Sequence, residues 1–102
     1  MEMKVLWTQT ALNDLENIFE YYKIKASQKT AKTFIKEIVK ATFYIQNSPK
    51  IGKREELLLK RKFEYRFLIS KNYKIIYWIE NNYIKIATVF DTRQNPEKIK
   101  KT

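Results

Sequence analysis

Residues 73–92 read YKIIYWIENNYIKIATVFDT, two runs of β-branched and aromatic residues on either side of Asn81-Asn82. A two-residue connection between such runs predicts a hairpin, because Asn tolerates the positive φ that a tight turn demands. The turn pairs Glu80 with Tyr83 and sets the register of both strands. Carried outward with strict alternation, it puts Lys74, Ile76, Trp78 and Glu80 on one face with Lys85, Ala87, Val89, Asp91 and Arg93. The opposite face then holds Ile75, Tyr77, Ile79, Ile84, Ile86, Thr88 and Phe90. The second set is almost wholly apolar and must be covered, whereas the first is mixed and basic.

The cover lies upstream. Residues 4–7 are short, β-branched and aromatic, and predict a first strand. Thr8 or Thr10 caps a helix whose stripe is Ala11, Leu15, Ile18 and Tyr22, widened by Leu12 and Phe19. Asp14 and Glu16 sit in or near its first turns, where the helix dipole favours them. After a polar connection at 23–29, Ser27 caps a second helix with Ala31, Phe34, Ile35, Ile38, Thr42 and Ile45 on its inner face. Ser48-Pro49 ends it, since the residue before Pro is driven out of helical space. Lys32, Lys36 and Lys40 repeat on the outer side as a solvated face. Trp7 and Phe19 read as core. Residues 49–54 are turn-like, and a further β-rich run, 57–70, precedes the hairpin. The expectation is an α+β fold of order β-α-α-β-β-β, a mostly antiparallel sheet with a helical hairpin packed on one face. It would form a single domain over residues 1–102, with a basic tail from about 97 to 102.

The strand before the hairpin admits two registers. A three-residue connection at 71–73 puts Arg66 and Leu68 on the basic face and Tyr65, Phe67 and Ile69 in the core. A two-residue loop at Lys71-Asn72 inverts that strand. The three-residue version is preferred because it buries the aromatic set and exposes Arg66. The polar face then displays Arg66, Lys74, Lys85 and Arg93 around Trp78. Such a constellation can hold phosphates while an aromatic stacks a base, or it can be an ordinary solvated sheet face. Trp78 fits packing under another segment as well as binding.

Charge and composition narrow the chemistry. Lys and Arg total 21 against 11 acids, a net +10, and residues 31–102 carry all of the excess. A basic surface of this size points to an anionic partner, nucleic acid or an acidic protein segment. Cys and His are both absent, which removes thiol nucleophiles, zinc-thiolate sites and imidazole acid–base chemistry. No metal site and no cofactor are expected. No carboxylate pair is spaced as a catalytic dyad, and no glycine loop is placed to cradle a phosphate. Glu55 and Glu56 read as loop solvation, Asp91 beside Arg93 as an ion pair, and Lys98, Lys100 and Lys101 as a frayed basic end. The longest apolar run is too short to span a bilayer and residues 1–7 lack the apolar stretch of a signal peptide, so a cytoplasmic location is expected.

Three stretches carry a family resemblance: Val5-Leu6-Trp7-Thr8 with Ala11 and Asp14-Leu15; Tyr65-Arg66 ahead of Tyr73-Lys74-Ile75-Ile76-Tyr77; and residues 89–96, VFDTRQNP. Together they resemble the RelE/ParE superfamily of bacterial type II toxin–antitoxin toxins over nearly the whole chain. The resemblance implies a toxin held inactive by a cognate antitoxin, which alone would bring it to operator DNA. RelE-like members are ribosome-dependent mRNA endoribonucleases (mRNA interferases) that use basic residues on the sheet, often with a carboxy-terminal Tyr. ParE-like members share the fold and inhibit DNA gyrase. Arg66, Lys74 and Arg93 fall where RelE-like basic residues would lie and are the catalytic candidates of that reading. Leu68 stands where a further Lys would be expected, and residues 94–102 contain neither Tyr nor His. Phosphodiester cleavage needs a base and an acid as well as charge stabilisation, so the ParE-like reading is favoured and the ribonuclease is the alternative. On the favoured reading Arg66, Lys74, Trp78, Lys85 and Arg93 bind the target.

Overall fold

A computed structural model describes residues 3–102. Strand β1 (Lys4–Trp7) leads into helix α1 (Gln9–Lys25), and helix α2 (Gln28–Asn47) returns antiparallel beside it. Thr8 is the cap that starts α1, its hydroxyl accepting from Ala11 N, and Ser27 caps α2 in the same way through Thr30 N. The second half supplies β2 (Lys53–Arg54), a 3-10 turn (Glu56–Leu58), β3 (Arg66–Ser70), β4 (Tyr73–Glu80), β5 (Tyr83–Asp91) and a closing 3-10 helix (Pro96–Lys101). The sheet runs β1-β5-β4-β3-β2, with β1 parallel to β5 and every other pairing antiparallel. The α+β order read from the sequence therefore stands, with one short edge strand added at Lys53–Arg54.

Both helices cover one face of the sheet. Ala11 and Ile18 of α1 and Ile38, Ala41 and Ile45 of α2 pack on Tyr73, Ile75, Tyr77, Ile84, Ile86 and Val89. Trp7 and Tyr22 pack against the edge of that core, while Leu12 is exposed and does not widen the stripe inward. Among the described residues no helix is long and apolar enough to cross a membrane.

Two expectations about the faces are corrected. The Asn81 turn pairs Glu80 with Tyr83 as anticipated, but the register shifts by one between Ile76 and Tyr77. This β-bulge breaks the strict alternation beyond Ile86. Val89, expected on the mixed face, is in the helix-side core, and Phe90, expected under the helices, is on the opposite side. The bulge is pinned from α1. Thr8 Oγ1 lies 2.8 Å from Ile86 O and 3.0 Å from Ala87 O, and donates there. Asp14 Oδ2 accepts from Thr88 Oγ1 at 2.6 Å and from Val89 N at 2.9 Å. The carboxylate thus satisfies an amide that could otherwise be stranded at the bulge.

The second correction concerns β3. Ser70 pairs with Tyr73, so the connection is the two-residue loop Lys71-Asn72, with Lys71 at φ 56°. The strand is inverted relative to the preferred register. Leu68 packs against the helix-side core, and Tyr65 and Phe67 lie on the other face. That other face is not simply open. Leu58, Ile76, Phe90 and Ile99 form a second small core, closed by the 3-10 turn and the closing 3-10 helix. Residues 57–58, expected in a strand, are in that turn, and the expected frayed tail is a helix anchored by Ile99 at 1% exposure.

Candidate functional site

The five residues expected to form one surface are divided three ways. Lys74, Trp78 and Lys85 stand on the face away from the helices, as expected. Arg66 pairs with Tyr77 across the β3–β4 ladder and therefore shares the helix-side face. Arg93 lies beyond the end of β5, beside a cleft of about 260 Å³ between α1 and the sheet that Asp14, Tyr21, Tyr73 and Asp91 also line. The inverted β3 register removes Arg66 from the cluster, and the end of β5 at Asp91 removes Arg93 from the strand.

Each of the four cations has a carboxylate partner within the chain. Arg66 Nη2 is 2.7 Å from Glu64 Oε2, and its Nη1 donates to Gly52 O at 2.8 Å. Lys74 Nζ is 2.8 Å from Glu55 Oε1 and 4.2 Å from the Phe67 ring centroid. Glu55, read from the sequence as loop solvation, is only 3% exposed and also accepts from Leu57 N. It is the residue the sequence reading missed. Its one legible signal was its place two residues before the apolar run Leu57-Leu58-Leu59, which pulls its turn against the sheet.

Lys85 Nζ donates to Glu80 Oε1 at 3.0 Å, and the same oxygen accepts from Trp78 Nε1 at 3.1 Å. The Lys85 bond, and after it the Trp78 bond, hold the Glu80 carboxyl below the usual carboxylate range. The Trp78 ring lies against Phe63 at 5.9 Å and Tyr65 at 5.3 Å between centroids. The sequence leaves packing and binding both open for this Trp, and packing by neighbouring aromatics is what its surroundings provide.

Arg93 grips Asp91 in two places, Nε to Oδ1 at 3.0 Å and Nη2 to Oδ2 at 2.8 Å. That pairing depresses the Asp91 carboxyl and raises the Arg93 guanidinium further still. In the same cleft, burial pushes Asp14 and Tyr73 upward. Among the described residues no three His, Cys, Asp or Glu side chains gather where a metal ion could sit.

Chemically the arrangement holds charge but does not focus it. Electrostatic stabilisation of a phosphorane-like transition state requires several donors aimed at one place. Here the cations point to different places and are compensated by Glu64, Glu55, Glu80 and Asp91.

The chain is similar to known proteins over most of its length. The family model described as the ParE toxin of the type II toxin–antitoxin system parDE matches residues 5–96. In structure the chain resembles one from the chromosomal ParDE TA system from P. aeruginosa. The TM-score is 0.73 at 18% identity, covering 88% of this chain and 96% of that one. It also resembles the YoeB dimer from Staphylococcus aureus, with a TM-score of 0.53 at 22% identity, covering 87% and 95%. At these identities the likeness concerns the fold. No curated protein sequence gives a significant match.

Proposed function

Because the chain belongs to the ParE toxin family of type II toxin–antitoxin systems, we propose that it acts by binding DNA gyrase, without bond chemistry of its own, and that a cognate antitoxin neutralises it. The observation that carries the choice of target is the dispersal and internal pairing of the candidate cations, the three a ribonuclease would use (Arg66, Lys74 and Arg93) among them. Arg66, Lys74, Lys85 and Arg93 each face a carboxylate at 2.7 to 3.0 Å. No His or Cys is present to move a proton, and the buried Tyr73 and Tyr77 hydroxyls are pushed upward, away from a ready proton donor or acceptor near neutrality.

A binding toxin needs surface rather than a focused site. Trp78 and Lys85, with Lys74 beside them on the face away from the helices, remain candidates for that surface, while Arg66 on the helix side and the exposed Arg93 beside α1 would serve separate contacts. The chain works as one domain, since β1 from its beginning and the closing 3-10 helix from its end both seal the same sheet. Its setting is the cytoplasm, where gyrase is, and operator DNA is reached through the antitoxin.

Expression of the chain without its antitoxin tests this reading in cells. Filamentation with induced DNA-damage response and continuing protein synthesis is expected. Immediate arrest of translation with intact chromosomes contradicts it and promotes the ribosome-dependent alternative.

A further inference from the structure

Many exposed cations make no ion pair among the described residues, Lys32, Lys36 and Lys40 on α2 included, and four of them, Lys60, Lys62, Lys98 and Lys101, are carried by the 59–62 loop and the closing 3-10 helix. The fold ties these two segments together. Arg61 Nη1 donates to Thr102 O at 3.2 Å and its Nη2 donates to Lys100 O. Ile99 is buried with Leu58 beneath them, so the closing 3-10 helix and the 59–62 loop form one ridge rather than two loose ends.

Exposed ammonium groups without a fixed fork geometry suit the phosphates of a polyanion read without regard to sequence. The neighbouring aromatics decide which polyanion. A single strand is held by stacking its bases on open rings. Here the Trp78 ring is engaged by Phe63 and Tyr65 of the same chain, and Lys62 Nζ sits 5.4 Å from the Phe63 centroid. Backbone contact with a duplex is the mode that asks nothing of those rings.

We propose that this ridge binds the phosphate backbone of duplex DNA, independently of sequence. Its role in the cell rests on the gyrase reading, because gyrase presents duplex DNA beside its own surface, but the contact can be measured without gyrase.

The test is fluorescence anisotropy of a labelled duplex of arbitrary sequence with the full chain, over a series of salt concentrations. With four phosphates engaged, the logarithm of affinity should fall against the logarithm of salt with a slope of about −3 to −4. Combined Lys60→Gln, Lys62→Gln, Lys98→Gln and Lys101→Gln should lower low-salt affinity at least ~10-fold and flatten the slope. Combined Lys32→Gln, Lys36→Gln and Lys40→Gln on α2 should change both little. All seven positions are exposed, and circular dichroism checks that both variants fold.

Equal losses in the two variants would overturn the proposal in favour of a diffuse field. A near-zero slope, or ridge-dependent binding to polyglutamate with none to the duplex, would overturn it in favour of a protein partner. Duplex binding through the ridge combined with unimpaired gyrase would leave the proposal standing and remove the gyrase reading. Gyrase inhibition without duplex binding would do the reverse.

Discussion

The Tyr77 hydroxyl is the hub beneath the chain's only glycine: it accepts from Gly52 N at 3.0 Å and donates to Pro49 O at 2.7 Å. The loop between α2 and β2 is thereby fastened to the middle of β4. A Cβ at position 52 would lie 2.7 Å from both the Tyr77 hydroxyl and Phe67 O. The carbonyl belongs to β3 and cannot swing aside. Gly52→Ala should therefore cost about 1–3 kcal/mol, and Tyr77→Phe a similar ~1–3 kcal/mol because it leaves the buried Gly52 amide unpaired. Chemical denaturation of both single variants and the double checks this. The double should lose less than the sum, since Phe removes the clash with the hydroxyl, although those with Phe67 O and with ring Cε1 at 2.9 Å stay.

Glu55 and Lys74 form the most buried ion pair, with side chains 4% and 19% exposed. Breaking one side of such a pair strands a charge, while replacing both is often neutral. Lys74→Ala should cost about 3–5 kcal/mol and Glu55→Leu with Lys74→Met about 1 kcal/mol or less. Any loss of toxicity in Lys74→Ala is then a folding defect, which the double variant separates from a binding one.

Asp14 gives a pH signature. Burial raises its carboxyl above the ordinary value, against the lowering effect of the bonds from Thr88 and Val89. A raised carboxyl favours the protonated form in the folded state. Its contribution to stability is complete below the unfolded pKa of 3.8 and is lost as pH climbs through the raised folded value. Asp14→Asn keeps an acceptor oxygen for Thr88 and Val89 but cannot ionise. Thermal melts of the variant should lack that decline above pH 3.8, relative to the parent. Identical pH profiles would contradict the assignment.

The helix-side core was legible because it obeys simple periods. The Asn81-Asn82 turn, the Ala11–Ile18 stripe and the Ile38–Ile45 stripe each occupy the places their spacing predicts. Ile86 is fully buried there, and Ile86→Asp should unfold the chain by burying an unpaired charge. The illegible parts have local causes. One bulged residue near Ala87 exchanges the faces of Val89 and Phe90, and its anchor, Asp14, is distant in sequence and resembles a helix-dipole acid. Lys71 occupies a positive φ that favours Asn or Gly, so no residue type announced the two-residue turn. The second core draws on Leu58, the middle of a three-leucine run with no alternation to say which one turns inward, and on Ile99, a single apolar residue between Lys98 and Lys100. For the candidate site this meant that charge content was legible and its partition was not.

On the proposed function, the chain binds gyrase and does not cut RNA. Purified gyrase should lose supercoiling activity, or accumulate cleaved-DNA complexes, as the chain is added. Ribosomes programmed with mRNA should show no cleavage at any concentration. Arg93→Ala removes an exposed pair with Asp91 without disturbing the core, so it should weaken gyrase inhibition in a graded way, by less than about 10-fold. A-site-specific mRNA cuts that fall by roughly 10²–10³-fold in Arg93→Ala, the loss expected for a cation stabilising a transition state, with gyrase unaffected, would contradict gyrase binding as the mode of action.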